Sequence, residues 1–271
     1  MPSGLQKIKP DRRDYSLLHT YGALAPDPKG LPESFSIYDG RPIPNQMAPD
    51  TRFTPPLPPM PMGCTGESTT FIGGLEDNAL YPPDDFYFNT PPGGDGGRDI
   101  RESLKQAKKR GYKLPDGTLG AKKGDYYNCY GKGLIDDFDA ARIAIWINQG
   151  EKRSVSVGTW WYWGSVNNNI MIQPDGTLNT PSYNTDQAGL HNWIVVGWKG
   201  DYLICIPWAG MYYGDKGLVY MSRTIYNNLM KQPWTGAFTL AKNPSNDAPL
   251  PIGWQAIIDH LVYFLRNLWG L

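Results

Sequence analysis

Leu190-His191-Asn192-Trp193-Ile194-Val195-Val196-Gly197-Trp198 sets a histidine at the head of an apolar run of strand length. Tryptophan, isoleucine and valine suit a pleated, buried surface, so this run is a core strand that carries an imidazole at its start. Far upstream, Met62-Gly63-Cys64-Thr65-Gly66-Glu67-Ser68 follows a proline-dense stretch and places a cysteine at the start of a helix. One cysteine far from one histidine in sequence is a candidate nucleophile and base that meet only in the fold. The thiolate is the attacking species, and a nearby imidazolium or helix N-terminus favours it.

Around these two stretches, residues 154–162, 202–206, 218–221 and 234–240 join 193–198 as strands. A helix begins at 65 and runs towards 75, interrupted by Gly73-Gly74. Asp99 is placed to cap a helix that reaches Arg110 and stops at Gly111, and Asp136 or Asp137 starts another that stops by Gly150. Residues 81–98 read as a loop. Helices come first and strands cluster later, which predicts an α+β fold rather than an alternating α/β one.

The organisation around this domain is also legible. Residues 1–40 form a polar arm, 41–241 the domain, 242–252 a linker and 253–271 a terminal segment. Within the domain, 47–63 carries six prolines, including Pro55-Pro56 and Pro58-Pro59, and reads as a stiff extended loop. In 253–271, Trp254, Ile257, Ile258, Leu261 and Leu265 recur at helical spacing. That pattern predicts an amphipathic C-terminal helix that serves a protein partner or self-association.

Composition excludes several classes. The 271 residues carry no net charge, so neither nucleic acid nor an anionic membrane is expected as a partner. No apolar run reaches the length of a membrane span, and the N-terminus has no signal-peptide pattern, so cytoplasmic synthesis is expected. The three cysteines are scattered, and form neither a disulfide framework nor a metal-ligand motif. No metal and no cofactor are expected. Cys129 and Cys205 read as structural, and Trp160, Trp161 and Trp163 as packing residues.

Read in order, these stretches resemble the papain-like cysteine peptidases, especially a bacterial and viral branch without disulfides. Arg13-Asp14-Tyr15 and Leu31-Pro32-Glu33-Ser34-Phe35 look like the family's entry into its mature domain. Pro44-Asn45-Gln46 resembles the segment that carries the oxyanion-hole glutamine, and Gly63-Cys64-Thr65 its nucleophile turn. The stretch from Gly97 through Lys105 to Tyr112 is similar to the following helix, and Leu190–Trp198 to the strand of the catalytic histidine. Pro207-Trp208 and the return Gly214–Val219 resemble the family's tryptophan turn. The resemblance covers roughly residues 11–240.

It implies a two-subdomain fold, a helical half and an antiparallel barrel-like half, and a mechanism on peptide or protein substrates. Cys64 would attack the scissile carbonyl, His191 would move the proton, and Gln46 with the Cys64 amide would hold the oxyanion. Trp208 would shield the histidine. Two positions depart from the pattern. Eighteen positions separate Gln46 from Cys64 where the family has a few, which makes 47–63 an insertion. Two residues before Trp208, where the family has its histidine-orienting asparagine, stands Ile206; Asn192 or another polar group is the candidate replacement. A different class therefore stands beside the peptidase: a papain-like module without turnover, acting as a structural component of an assembly such as a phage or viral particle.

Overall fold

The computed structural model describes residues 5, 7–8, 25–92, 97–120, 126–129, 131, 135–162, 172–178 and 188–240. In chain order the elements are β1 (Ser34–Ser36), α1 (Cys64–Asp77), α2 (Pro83–Asn89), α3 (Ile100–Arg110), β2 (Tyr126–Asn128) and α4 (Asp137–Ile147), followed by β3 (Val155–Tyr162), β4 (Ala188–Lys199), β5 (Tyr202–Ile206), β6 (Val219–Ser222), α5 (Arg223–Met230) and β7 (Gly236–Leu240). The expected linker 242–252 and terminal helix 253–271 lie outside the described residues, as do Trp163, His19 and His260.

Among the described residues the sheet has the order β2-β7-β3-β4-β5-β6, with β1 paired to β4, and each of these strand pairs is antiparallel. Strand β4 is its spine. Its first part pairs with β3, His191 opposite Thr159 and Asn192 opposite Gly158, and its last part with β5 and β1. Gly197 makes that triple pairing possible: a Cβ there would sit 2.3 Å from the Phe35 carbonyl oxygen and push β1 away. Thus Ser34–Ser36, part of the predicted arm, is built into the sheet.

The helical half is organised by α1, whose residues from Cys64 to Leu75 are buried. The expected break at Gly73-Gly74 does not occur. Gly73 is there for contact instead, because a Cβ would come within 2.3 Å of the Tyr112 ring; Tyr112 donates its hydroxyl to the Thr69 carbonyl at 2.9 Å. The loop expected over 81–98 contains α2. Pro83 occupies its first turn, where the fixed φ suits a helix and no N–H is needed, and Asp84 and Asp85 favour the positive end of the helix. Asp99 caps α3 by accepting from the Arg101 and Glu102 amides, and Gly111 ends it with φ 84°. Asp136 caps α4 by accepting from the Asp139 amide.

Among the described residues two apolar clusters result. Tyr81, Phe86, Ala107 and Tyr112 bind α2 and α3 to the outer side of α1. Phe71, Ile72 and Leu75 of α1 join Trp193, Val195, Trp198 and the other inward residues of the sheet in the larger core. The N-terminal ends of α1 and β4 meet where these two halves join. No helix among the described residues is long and apolar enough to cross a membrane.

Candidate active site

Cys64 is the first residue of α1, so its backbone amide has no intrahelical acceptor and faces the positive end of the helix dipole. Its Sγ accepts the backbone N–H of Asn192 at 3.4 Å. The structure therefore brings the cysteine of one stretch against the residue that follows the histidine of the other, 128 positions apart in sequence.

His191 is 1 % exposed and stacks obliquely against Trp161, ring centroids 5.6 Å apart. Its Nε2 lies 2.9 Å from the main-chain carbonyl oxygen of Pro207. A carbonyl only accepts, so Nε2 carries the hydrogen and Nδ1 keeps its lone pair in the neutral ring. Asn192 does not supply this acceptor: its side-chain oxygen takes the Ser156 hydroxyl at 2.9 Å. Its main chain serves the site instead, since its N–H reaches Cys64 and its carbonyl accepts the Trp208 indole N–H at 2.9 Å.

Trp208 is fully buried between the two halves. Its indole N–H is shared with Ser68 Oγ of α1 at 3.0 Å, and its ring packs on Phe71 with centroids 5.3 Å apart. Its φ is +60°, a left-handed conformation that a bulky L-residue adopts only when its surroundings over-determine it, at a strain on the order of 1–3 kcal/mol. Its carbonyl accepts the Gln46 amide at 3.1 Å, and the bridge between Asn45 and Ala209 extends this pairing.

That pairing explains how Gln46 reaches the site from 18 positions away. The Gln46 carbonyl accepts the Met60 amide at 2.9 Å, and the Met60 carbonyl accepts the Gly63 amide at 2.7 Å. The neck of the insertion is thus closed, and Gln46 lies beside the turn that leads into Cys64. Its side-chain N–H₂ donates to the Pro61 carbonyl at 3.5 Å, while Oε1 is buried without a partner. Nor is 47–63 simply extended. Asp50 and Leu57 exchange backbone hydrogen bonds of 2.9 and 3.2 Å, and Arg52 joins Asp50 to Glu67 of α1 at 2.6 and 3.2 Å. A side-chain anchor overrides the stiffness that the prolines suggest.

Burial controls the electrostatics. Cys64 is 0 % exposed, and desolvation pushes its thiol up to about 12 despite the Asn192 N–H and the helix end. Burial likewise pulls His191 down to about 4, against the opposing effect of the Pro207 carbonyl. Burial thus favours the uncharged form of both groups. Glu67 is raised to about 7 by burial, which outweighs its pairing with Arg52. Cys129 and Cys205 are buried in the core, away from any such arrangement. Among the described residues no cluster of His, Cys, Asp and Glu is suited to a metal.

Several solved structures share this fold. Xylellain, a cysteine protease from Xylella fastidiosa, superimposes with a TM-score of 0.63 at 16% identity over 89% of this chain and 97% of that one. The fold is papain-like. A digestive procathepsin L2 proteinase from Tenebrio molitor larval midgut gives a TM-score of 0.57 at 13% identity, covering 87% of this chain and 77% of its own. The Carica candamarcensis cysteine protease CMS1MS2, in complex with E-64, gives 0.54 at 13% identity over 79% and 100%. No protein-family model and no curated protein matches the sequence. Backbone and side-chain hydrogen bonds bring Cys64, Gln46, Trp208 and the histidine strand together where the two halves join. The contact of His191 with Pro207 has no sequence signal, because it uses a main-chain atom, which no residue type announces.

Proposed function

We propose that this protein is a thiol hydrolase that cleaves peptide or isopeptide bonds, with Cys64 as nucleophile and His191 as base. The observation that carries the reading is the 3.4 Å hydrogen bond from the Asn192 amide to Cys64 Sγ, which joins the start of the helix to the histidine strand. Burial favours the uncharged form of both groups, and in this reading proton transfer accompanies attack. The Cys64 thiol proton passes to His191 Nδ1 as the S–C bond forms. The imidazolium then protonates the departing amine, and water, activated by the same imidazole, releases the acyl group and restores the thiol. The oxyanion takes the Cys64 backbone amide and the Gln46 side-chain amide, each donor contributing about 3 kcal/mol in sites of this kind.

The test is covalent labelling with an electrophilic peptide, such as a vinyl sulfone, beside Cys64→Ala. Stoichiometric labelling of the wild type and none of the variant is expected. Folded wild-type protein that takes up no label at Cys64 would remove the enzyme reading. The second reading, a papain-like module without turnover inside a larger assembly, draws on the burial of Cys64 and His191 and on the contact between the Gln46 amide and Pro61. The same labelling separates the two.

A further inference from the structure

We propose that the main-chain carbonyl of Pro207, set by the left-handed turn at Trp208, is the positioning group of His191 and fixes its tautomer. This rests on the reading of Cys64 and His191 as a reacting pair, and it assigns a function to the strained Trp208 turn. The imidazole Nε2 is 2.9 Å from the Pro207 oxygen, a full hydrogen-bond distance, and the acceptor cannot become a donor. The ring is thereby held with Nδ1 unprotonated, the form a base requires.

The side chain that could compete for this task has no polar atom. Ile206, the last residue of β5, is fully buried and pairs with Ile194 of β4. The next peptide supplies the acceptor at Nε2, and the chain holds it from several sides. Proline fixes φ at 207. The Trp208 indole is tied to Ser68 of α1 and to Asn192 of β4, while the Trp208 carbonyl takes the Gln46 amide. The Gly210 amide reaches back to the Pro44 carbonyl at 3.1 Å. Four tethers from three segments therefore maintain a backbone that Trp208 would not adopt alone. A backbone carbonyl held in this way needs no side-chain rotamer to be fixed, so two residues aim the histidine, seat the glutamine and brace the strand residue whose amide meets the thiol.

Replacing Trp208 by its α-hydroxy acid turns the 207–208 amide into an ester. Every side chain is kept, while the Pro207 carbonyl becomes a poorer acceptor. With ¹⁵N-labelled histidine, wild-type His191 is expected to show one protonated and one bare nitrogen, with the proton on Nε2. The ester is expected to mix the two tautomers and to slow Cys64-dependent labelling at least about fivefold, as the loss of roughly one net hydrogen bond implies. A companion variant, Ile206→Asn, is expected to bring no gain in labelling. Wild-type His191 protonated on Nδ1 would overturn the proposal. So would an ester that leaves both tautomer and labelling unchanged, or an Ile206→Asn variant that labels faster and takes over the Nε2 bond. Because the nitrogen signature is read without turnover, the expected tautomer in a protein that never labels would uphold the positioning while removing the peptidase reading.

Discussion

A histidine buried as deeply as His191 is first of all a titration problem. His191 is drawn down to about 4 by burial, below the ordinary value of 6.5. A group whose native pKa lies below its unfolded one contributes stability that is present above the unfolded value and lost as the pH falls towards the native value. The unfolding free energy is therefore expected to fall by roughly 2 kcal/mol between pH 7 and pH 4.5 through this residue alone, at 1.36 kcal/mol for each pKa unit. Urea denaturation at the two pH values, beside His191→Gln, checks this; an equally steep loss in the variant would mean that other groups carry it. At this scale the sequence was informative where a side chain does the work. That Cys64, Gln46, His191 and Trp208 gather in one place was legible, because thiol, amide, imidazole and indole mark themselves along the chain. The Pro207 carbonyl was not legible, because every residue has one and only the turn decides where it points.

Elements behaved according to what ends and anchors them. The helices capped by Asp99 and Asp136 were readable, since a carboxylate before an apolar periodicity satisfies free amides. Helix α2 was not, because prolines and acids mark a helix start as readily as they mark a loop. The insertion 47–63 was misread in shape for a similar reason: the link from Arg52 to Glu67 spans fifteen positions and leaves no periodic trace. That link has a measurable weight. Glu67 is fully buried in the first turn of α1, and removal of Arg52 strands its charge. Arg52→Leu is expected to destabilise by about 3 kcal/mol or more, and Arg52→Leu with Glu67→Gln by clearly less, because unpaired buried charges are worse than none. Since the native Glu67 sits raised at about 7, its ionisation opposes folding as the pH climbs from the usual carboxylate range through 7. The single variant is therefore expected to lose most at pH 8 in denaturant melts. A double variant as unstable as the single one would show that the pair does not anchor the insertion.

At the scale of the whole molecule, alternation along a strand reveals which residues share a face but not which strands are neighbours. The α+β class was thus readable, while the order β2-β7-β3-β4-β5-β6 and the recruitment of Ser34–Ser36 were not. The N-terminal stretch makes the same point through packing. Leu5 and Ile8 are buried, although they belong to a polar segment, and the reason lies at Gly158 of β3. A Cβ at Gly158 would stand 2.6 Å from Leu5, 2.7 Å from Ile8 and 3.0 Å from Ile100, so the missing side chain is the socket for the chain's beginning. Gly158 also pairs with Asn192 of β4 and Gly236 of β7, which sets that socket on the strands behind the site. Gly158→Ala is expected to destabilise by about 1–3 kcal/mol through overpacking. Leu5→Ala is expected to destabilise by about 2–5 kcal/mol through the cavity it leaves. Combined, the two should fall short of their sum by at least about 0.5 kcal/mol, because the added methyl enters the space that the leucine vacates. Denaturant unfolding of the two single variants and the double one measures that coupling. Strict additivity would mean that Leu5 does not rest on Gly158 in solution, and that the sheet closes without the N-terminal segment.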